Sequence, residues 1–230
     1  MSRRTTDELR ALAADGNALA VDAQSCVSWA VATFGRKLAV SSSMSNGALS
    51  HFVAQSLPGV DVIFLDTGYH FPETITTRND VAARLPVTVV DVRPRQTVAQ
   101  QDAAYGKDAY ARDPWLCCRL RKVLPLDEAL MPYEAWASGI RRSETAQRAN
   151  AQYVEFDGTR GLVKINPFVE WSERDLSAYI VTHDIPVNPL EYQGYPSIGC
   201  APCTSRVAAG EDPRSGRWRG LGKDECGINI

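Results

Sequence analysis

Three apolar runs of strand length set the frame of this chain: Lys37-Leu-Ala-Val-Ser41, Val60-Asp-Val-Ile-Phe-Leu65 and Val87-Thr-Val-Val-Asp-Val92. Between them lie stretches that read as helical. Ala48-Leu-Ser-His-Phe-Val-Ala54 follows the first run. A helix opened by Phe71-Pro72-Glu73 follows the second, with proline at an early position where its missing N–H costs nothing. Strand and helix alternate, which argues for an α/β fold: a parallel twisted sheet with helices on both faces.

The flanking segments extend this frame. Residues 6–34 read as helical from Leu9, Leu12, Leu19 and Val27, with Gly16-Asn17 as the expected break. Residues 114–131 read as largely helical. Further strands are expected over 133–138, 153–156 and Leu162–Ile165, the last two around the turn Asp157-Gly158. A helix follows over 171–180, with Ser172 as N-cap and acids in its first turn. Residues 1–205 are expected to form one α/β nucleotide-binding domain. Residues 206–230 lack apolar periodicity and read as a flexible tail.

The chain's 230 residues, 44% of them hydrophobic, suffice for a substantial core. A net charge of −2 argues against bulk nucleic-acid binding, so an anionic ligand must meet a local cluster of cations. No apolar run is long enough for a membrane span, and no apolar core follows Arg3 and Arg4 as a signal peptide requires. A cytoplasmic location is therefore expected. Thiols stay reduced there, and grouped cysteines serve more often as ligands or catalysts than as disulfides.

Five of the six cysteines carry a pattern. Cys117 and Cys118 are adjacent and precede Arg119, Arg121 and Lys122; Cys200-Ala-Pro-Cys203 lies far downstream; Cys226 sits near the end. Four thiolates suit either one zinc ion or a [4Fe-4S] cluster. Consecutive side chains on a helix diverge, which favours a cluster whose corners are separate irons, with zinc as the alternative. Nearby Lys and Arg favour a thiolate at Cys226, whereas Asp224 and Glu225 oppose it, so activation requires the tail to fold over the site. Cys26, inside the first helical region, reads as structural. His51 and His183 read as surface or core residues, and His70 is ambiguous. The small-residue loop Ser41-Ser-Ser-Met-Ser-Asn-Gly47 ends the first strand, where doubly wound sheets bind ligands. Its backbone N–H groups and the following helix suit an anion, but it is neither a Walker loop nor a dinucleotide fingerprint.

Six segments together resemble the assimilatory adenylyl-sulfate (APS) reductases, relatives of the PAPS reductases. They are Asp66-Thr-Gly-Tyr-His70, Cys117-Cys-Arg-Leu-Arg-Lys-Val123, Gly139-Ile-Arg-Arg142, Gly194-Tyr-Pro-Ser-Ile-Gly-Cys-Ala-Pro-Cys203, Asp212-Pro-Arg-Ser-Gly-Arg-Trp218 and Glu225-Cys-Gly227. The resemblance implies an adenine-nucleotide α-hydrolase-like fold and a two-step reaction. Cys226 attacks the sulfur of adenosine 5'-phosphosulfate, AMP leaves and an S-sulfocysteine remains. Thioredoxin or a similar dithiol then releases sulfite for cysteine biosynthesis. It further implies a [4Fe-4S] cluster on Cys117, Cys118, Cys200 and Cys203. Lys122, Arg148, Arg214 and Arg217 would grip phosphate and sulfate, and Ser42, Leu65, Thr67 and Gly139 would line the adenosine pocket. Members with both cysteine pairs generally use APS rather than PAPS. Two positions depart from the family pattern: Asn46 replaces the usual acidic residue, and Asn229 replaces a histidine three residues past the cysteine. The rival readings are PAPS reduction, ATP-dependent adenylation or sulfur transfer on the same fold, a non-catalytic iron–sulfur nucleotide sensor that would not need Cys226, and a zinc domain. The sequence leaves open whether copies of the chain associate.

Overall fold

The computed structural model describes residues 3–229. The chain runs α1 (Thr6–Leu19), α2 (Ala23–Phe34), β1 (Leu38–Ser41), α3 (Ala48–Ser56), β2 (Val60–Leu65), α4 (Pro72–Arg84) and β3 (Val87–Val92). It continues through α5 (Val98–Tyr105), α6 (Ala109–Arg112), α7 (Pro114–Cys118), α8 (Leu124–Leu130), β4 (Ala135–Ala137), β5 (Val154–Asp157), β6 (Leu162–Ile165) and α9 (Glu173–Thr182). The strands form one sheet in the order β3-β2-β1-β4-β6-β5. All pairs are parallel except β5 with β6. Those two are joined by the tight turn expected at Asp157-Gly158, too short a link for a parallel crossover.

Both faces of the sheet are covered, as its strand patterns require. Val40, Val62 and Phe64 pack with α2 and α3 on one side, while Ala39, Ile63 and Leu65 pack with Leu126 and Leu130 of α8 on the other. From β1 the chain builds outward to β2 and β3, then returns to place β4 on β1's other flank. That reversal opens a crevice at the carboxyl end of β1, the usual ligand position in such sheets.

Two expectations change in detail. The first helical break falls at Ala20–Asp22 rather than at Gly16-Asn17, and α1 runs through both residues. Gly16 is there for packing: a Cβ on it would lie 2.5 Å from the Trp29 ring. The strand expected over 133–138 is regular only at Ala135–Ala137.

The residues after 205 fold back over the carboxyl edge of the sheet. Trp218 is buried to 2% exposure, and Ile228 joins the core cluster of Leu65 and Trp136. Among the described residues no helix is long and apolar enough to cross a membrane.

Candidate functional site

The first cysteine pair is placed by a capped helix. Asp113 accepts from the Leu116 N–H at 2.9 Å, and Pro114 takes the first helical turn of α7. Directly after Cys118 the backbone widens into a π-turn over Arg119–Val123. Such turns are rare and often mark functional sites. Here the turn aims Arg121 and Lys122 back toward the thiols that line the same cavity.

The second pair rides on a single 3₁₀ turn, Ala201–Cys203. The Ala201 N–H donates to the Tyr69 carbonyl at 2.7 Å, tying this turn to the loop after β2. Thr67 Oγ1 lies 3.3 Å from Cys200 Sγ. Cys117, Cys118, Cys200 and Cys203 are all buried and line one small cavity with Tyr69, Tyr110, Arg121 and Lys122. No three His, Cys, Asp or Glu side chains among the described residues converge as one metal ion needs. The thiols surround a space instead.

Burial and crowding oppose thiolates here unless something compensates. Burial, then neighbouring thiols, push Cys117 up to about 11 and Cys203 to about 12. Burial raises Cys118 too, with Lys122 and Lys223 pulling the other way. Burial alone would lower Lys122, but the thiols of Cys200, Cys226 and Cys118 hold it above its ordinary range. Gln101 adds a buried donor. Its Oε1 accepts from Arg121 at 3.0 Å, while Nε2 has no oxygen partner and faces Cys117. Buried thiols ringed by cations and an unpartnered N–H are the surroundings that a set of metal-bound thiolates requires.

Cys226 is half-buried where two features meet. It packs on the cluster of Cys118, Cys200, Cys203 and Trp218, and it lines an open groove with Trp115, Arg119 and Leu124. Lys223 Nζ sits 3.4 Å from the Trp115 ring centroid, and its amine is lowered by burial despite Cys118 and Cys226 nearby. Arg217 lies over Trp218 at 4.5 Å and is fixed by the Ser197 hydroxyl and the Ile198 carbonyl, each at 3.2 Å. A Cβ on Gly199 would collide with this guanidinium, so a larger residue there would shift Arg217. Burial, then the Arg214 charge, lower Arg217.

Arg148 and Arg214 converge on the residue before the nucleophile candidate. Arg148 Nε and Nη2 donate to the two carboxylate oxygens of Glu225 at 2.6 and 2.8 Å, and Nη1 donates to Glu144. Arg214 Nη2 lies 3.5 Å from Glu225 and donates to the Asp224 carbonyl at 2.7 Å. Burial alone would lower Arg148, but its bonds to Glu225 and Glu144 leave it raised.

The residues expected around adenosine lie at the strand ends. Ser42 follows β1 and donates its N–H to Ile63 at 3.1 Å; Leu65 ends β2, with Thr67 two residues on; Gly139 follows β4. Neighbouring Ser138 donates its hydroxyl to the Asn229 side chain at 3.0 Å. Asn46 Oδ1 accepts from the Ala48 N–H at 3.2 Å. Glu191 lies near Asn46, and burial pushes it up to about 7.

The remaining candidates lie apart. Cys26 is fully buried in the main core, where burial pushes it up to about 12. The His51 and His183 rings meet at 5.1 Å, tilted by 42°, between α3 and the end of α9. His70 stacks on Phe64 at 4.9 Å, and its Nε2 lies 2.8 Å from the Leu65 carbonyl. Residue patterns gave no sign of Gln101 at the thiols or Ser197 at the arginines, because both roles depend on partners distant in sequence.

The chain has known relatives. Residues 37–206 match the phosphoadenosine phosphosulfate reductase domain. An adenosine 5'-phosphosulfate reductase from Streptomyces coelicolor is 52% identical over 228 residues, covering 98% of this chain and 97% of that protein. One from Mycolicibacterium smegmatis is 53% identical over 228 residues, with the same coverage. Among solved structures, a phosphoadenylyl-sulfate reductase from Candida auris in complex with phosphate superposes with TM-score 0.66 at 26% identity, covering 90% of this chain and 98% of that one. A Candida glabrata FMN adenylyltransferase shares the fold at TM-score 0.56 and 11% identity, covering 96% and 85%.

Proposed function

Because the chain belongs to the phosphoadenosine phosphosulfate reductase domain family, we propose that it reduces adenosine 5'-phosphosulfate to sulfite and AMP with electrons from a dithiol protein of the thioredoxin type. The observation that carries this reading is the meeting of Cys226 with Lys122, Arg217 and the four-thiol cavity at the carboxyl edge of the sheet.

The Cys226 thiolate attacks the sulfur of the phosphosulfate. The bond from that sulfur to the bridging oxygen breaks, and AMP leaves with the oxygen and its electron pair. Lys122, Arg148, Arg214 and Arg217 serve as fixed cations for the charge that develops there, and preorganised charge of this kind is usually the largest catalytic contribution. The product on the protein is Cys226 S-sulfocysteine. One thiolate of the dithiol then attacks Cys226 Sγ and expels sulfite. The second thiol closes the partner's disulfide and returns Cys226 as thiolate. Two electrons pass from dithiol to sulfur, and the partner leaves oxidised.

Cys117, Cys118, Cys200 and Cys203 would hold a [4Fe-4S] cluster. Four buried thiols that line one cavity suit a group whose irons bind thiolates separately. Held by these four thiols, such a cluster would link the π-turn to the 200–203 turn and would supply fixed negative charge beside Lys122. Protein isolated anaerobically should then carry about four irons and matching acid-labile sulfide per chain. Cys203→Ser should lose most of that iron and its brown colour. Zinc in place of iron, or full iron in the variant, contradicts the assignment.

The reaction is tested by anaerobic incubation with substrate and reduced thioredoxin. Sulfite released from adenosine 5'-phosphosulfate, far faster than from its 3'-phosphorylated analogue, is the expected result. Preference for the analogue, or no sulfite from either, overturns the reading.

A further inference from the structure

The carboxylate of Glu225 occupies the arginines that the proposed reaction assigns to substrate. It is 2% exposed and takes two parallel bonds from Arg148, at 2.6 and 2.8 Å. Thr145 Oγ1 donates to the same carboxylate at 3.2 Å, and Arg214 approaches it at 3.5 Å. A guanidinium presents this fork to a phosphate or sulfate in the same way as to a carboxylate. Glu144 adds a second carboxylate on Arg148. In this state the guanidinium of Arg148 is taken up by two carboxylates, so an anionic substrate reaches its fork only by displacing Glu225.

The rest of the tail end follows the same path. Past Cys226, the Ile228 carbonyl accepts from Arg160 at 3.0 Å, and Asn229 meets Ser138 beside Gly139 at the end of β4. Residues 225–229 thus lie across the strand ends where adenosine and its phosphosulfate are expected.

We propose that Glu225 is a positioning residue that exchanges with substrate: its carboxylate holds Arg148 and Arg214 in the free protein, and the substrate's anionic group displaces it. This rests on the assignment of those arginines to phosphate and sulfate. Glu225 is bonded through the backbone to Cys226, so the displacement also moves the nucleophile. Binding of the anion and delivery of the thiol become one event. An internal occupant weakens apparent affinity by the fraction of time it holds the site.

The test is the affinity of the full chain for AMP, measured by calorimetry in wild type, Glu225→Gln, Glu225→Asp and the pair Glu225→Gln/Arg148→Ala. Glu225→Gln should bind AMP about fivefold tighter or more, since a site free one-fifth of the time loses that factor. Glu225→Asp, which keeps the charge, should stay near wild type. Turnover should split in Glu225→Gln, with KM falling alongside the Kd for AMP while kcat changes far less, because Glu225 is off the arginines in the substrate complex of either protein. A merely structural glutamate would not tighten binding. Unchanged or weaker AMP affinity in Glu225→Gln, with further loss on adding Arg148→Ala, overturns the exchange and leaves the arginine assignment standing. Equal affinity in Glu225→Gln and the double variant overturns the arginine assignment and the exchange with it.

Discussion

Replacing Cys226 with serine is expected to abolish sulfite release, by more than about a thousandfold, while AMP binding persists. A serine hydroxyl stays protonated and is a far poorer nucleophile than a thiolate, and loss of a nucleophile that acts as part of a unit removes nearly all of its step. Cys226 is half-buried and sits on the edge of the thiol cluster, so the isosteric change leaves packing nearly intact. The variant should also keep its iron, because Cys226 lies outside the four-thiol cavity. Sulfite production is read directly, with iron content and AMP affinity as controls. A variant that keeps even a tenth of its activity would remove the covalent step. This outcome also separates the enzyme from a nucleotide sensor, whose binding would not need this thiol.

Arg148→Ala is expected to act on both stability and chemistry. Its side chain is 11% exposed and carries both Glu144 and the buried Glu225. Removing one partner of a buried ion pair typically costs about 3 kcal/mol, because the remaining charge stays desolvated. Glu225 lies on the tail, so the cost should appear mainly as release of that segment rather than global unfolding. Limited trypsin digestion should cut after Arg219 much faster than in wild type. Sulfite release should fall about a hundredfold, the usual effect of losing one preorganised group at developing charge. Protease resistance equal to wild type would show that the tail is held by its other contacts. Unchanged turnover would remove Arg148 from the reaction.

Much of this was legible in the sequence because its causes are local. Val60–Leu65 reads as a strand because alternate side chains enter two separate cores, and the sheet's two clusters divide at those residues. Ser172 reads as an N-cap and accepts from the Asp175 N–H at 3.2 Å. The two cysteine pairs, though distant in sequence, signal their shared site by residue type alone.

What was hidden depends on distant partners. Gly16 looks like a helix break until Trp29 is seen lying on it. The tail looks unstructured because no apolar stripe holds it. It is fixed instead by ion pairs such as Arg148–Glu225, by cations over Trp115 and Trp218, and by turns at glycines such as Gly220 with φ 80°. None of these has a sequence period. Glu225, which reads beside Cys226 only as an opposing charge, is the residue that docks it.

The most direct test of the central claim is the mass of the peptide carrying Cys226. Reduced, iron-loaded protein is mixed anaerobically with adenosine 5'-phosphosulfate and no dithiol, then digested. A gain of one SO₃ group on that peptide, removed by reduced thioredoxin with release of sulfite, is the expected result. An unmodified peptide from protein that still binds AMP would contradict the covalent mechanism.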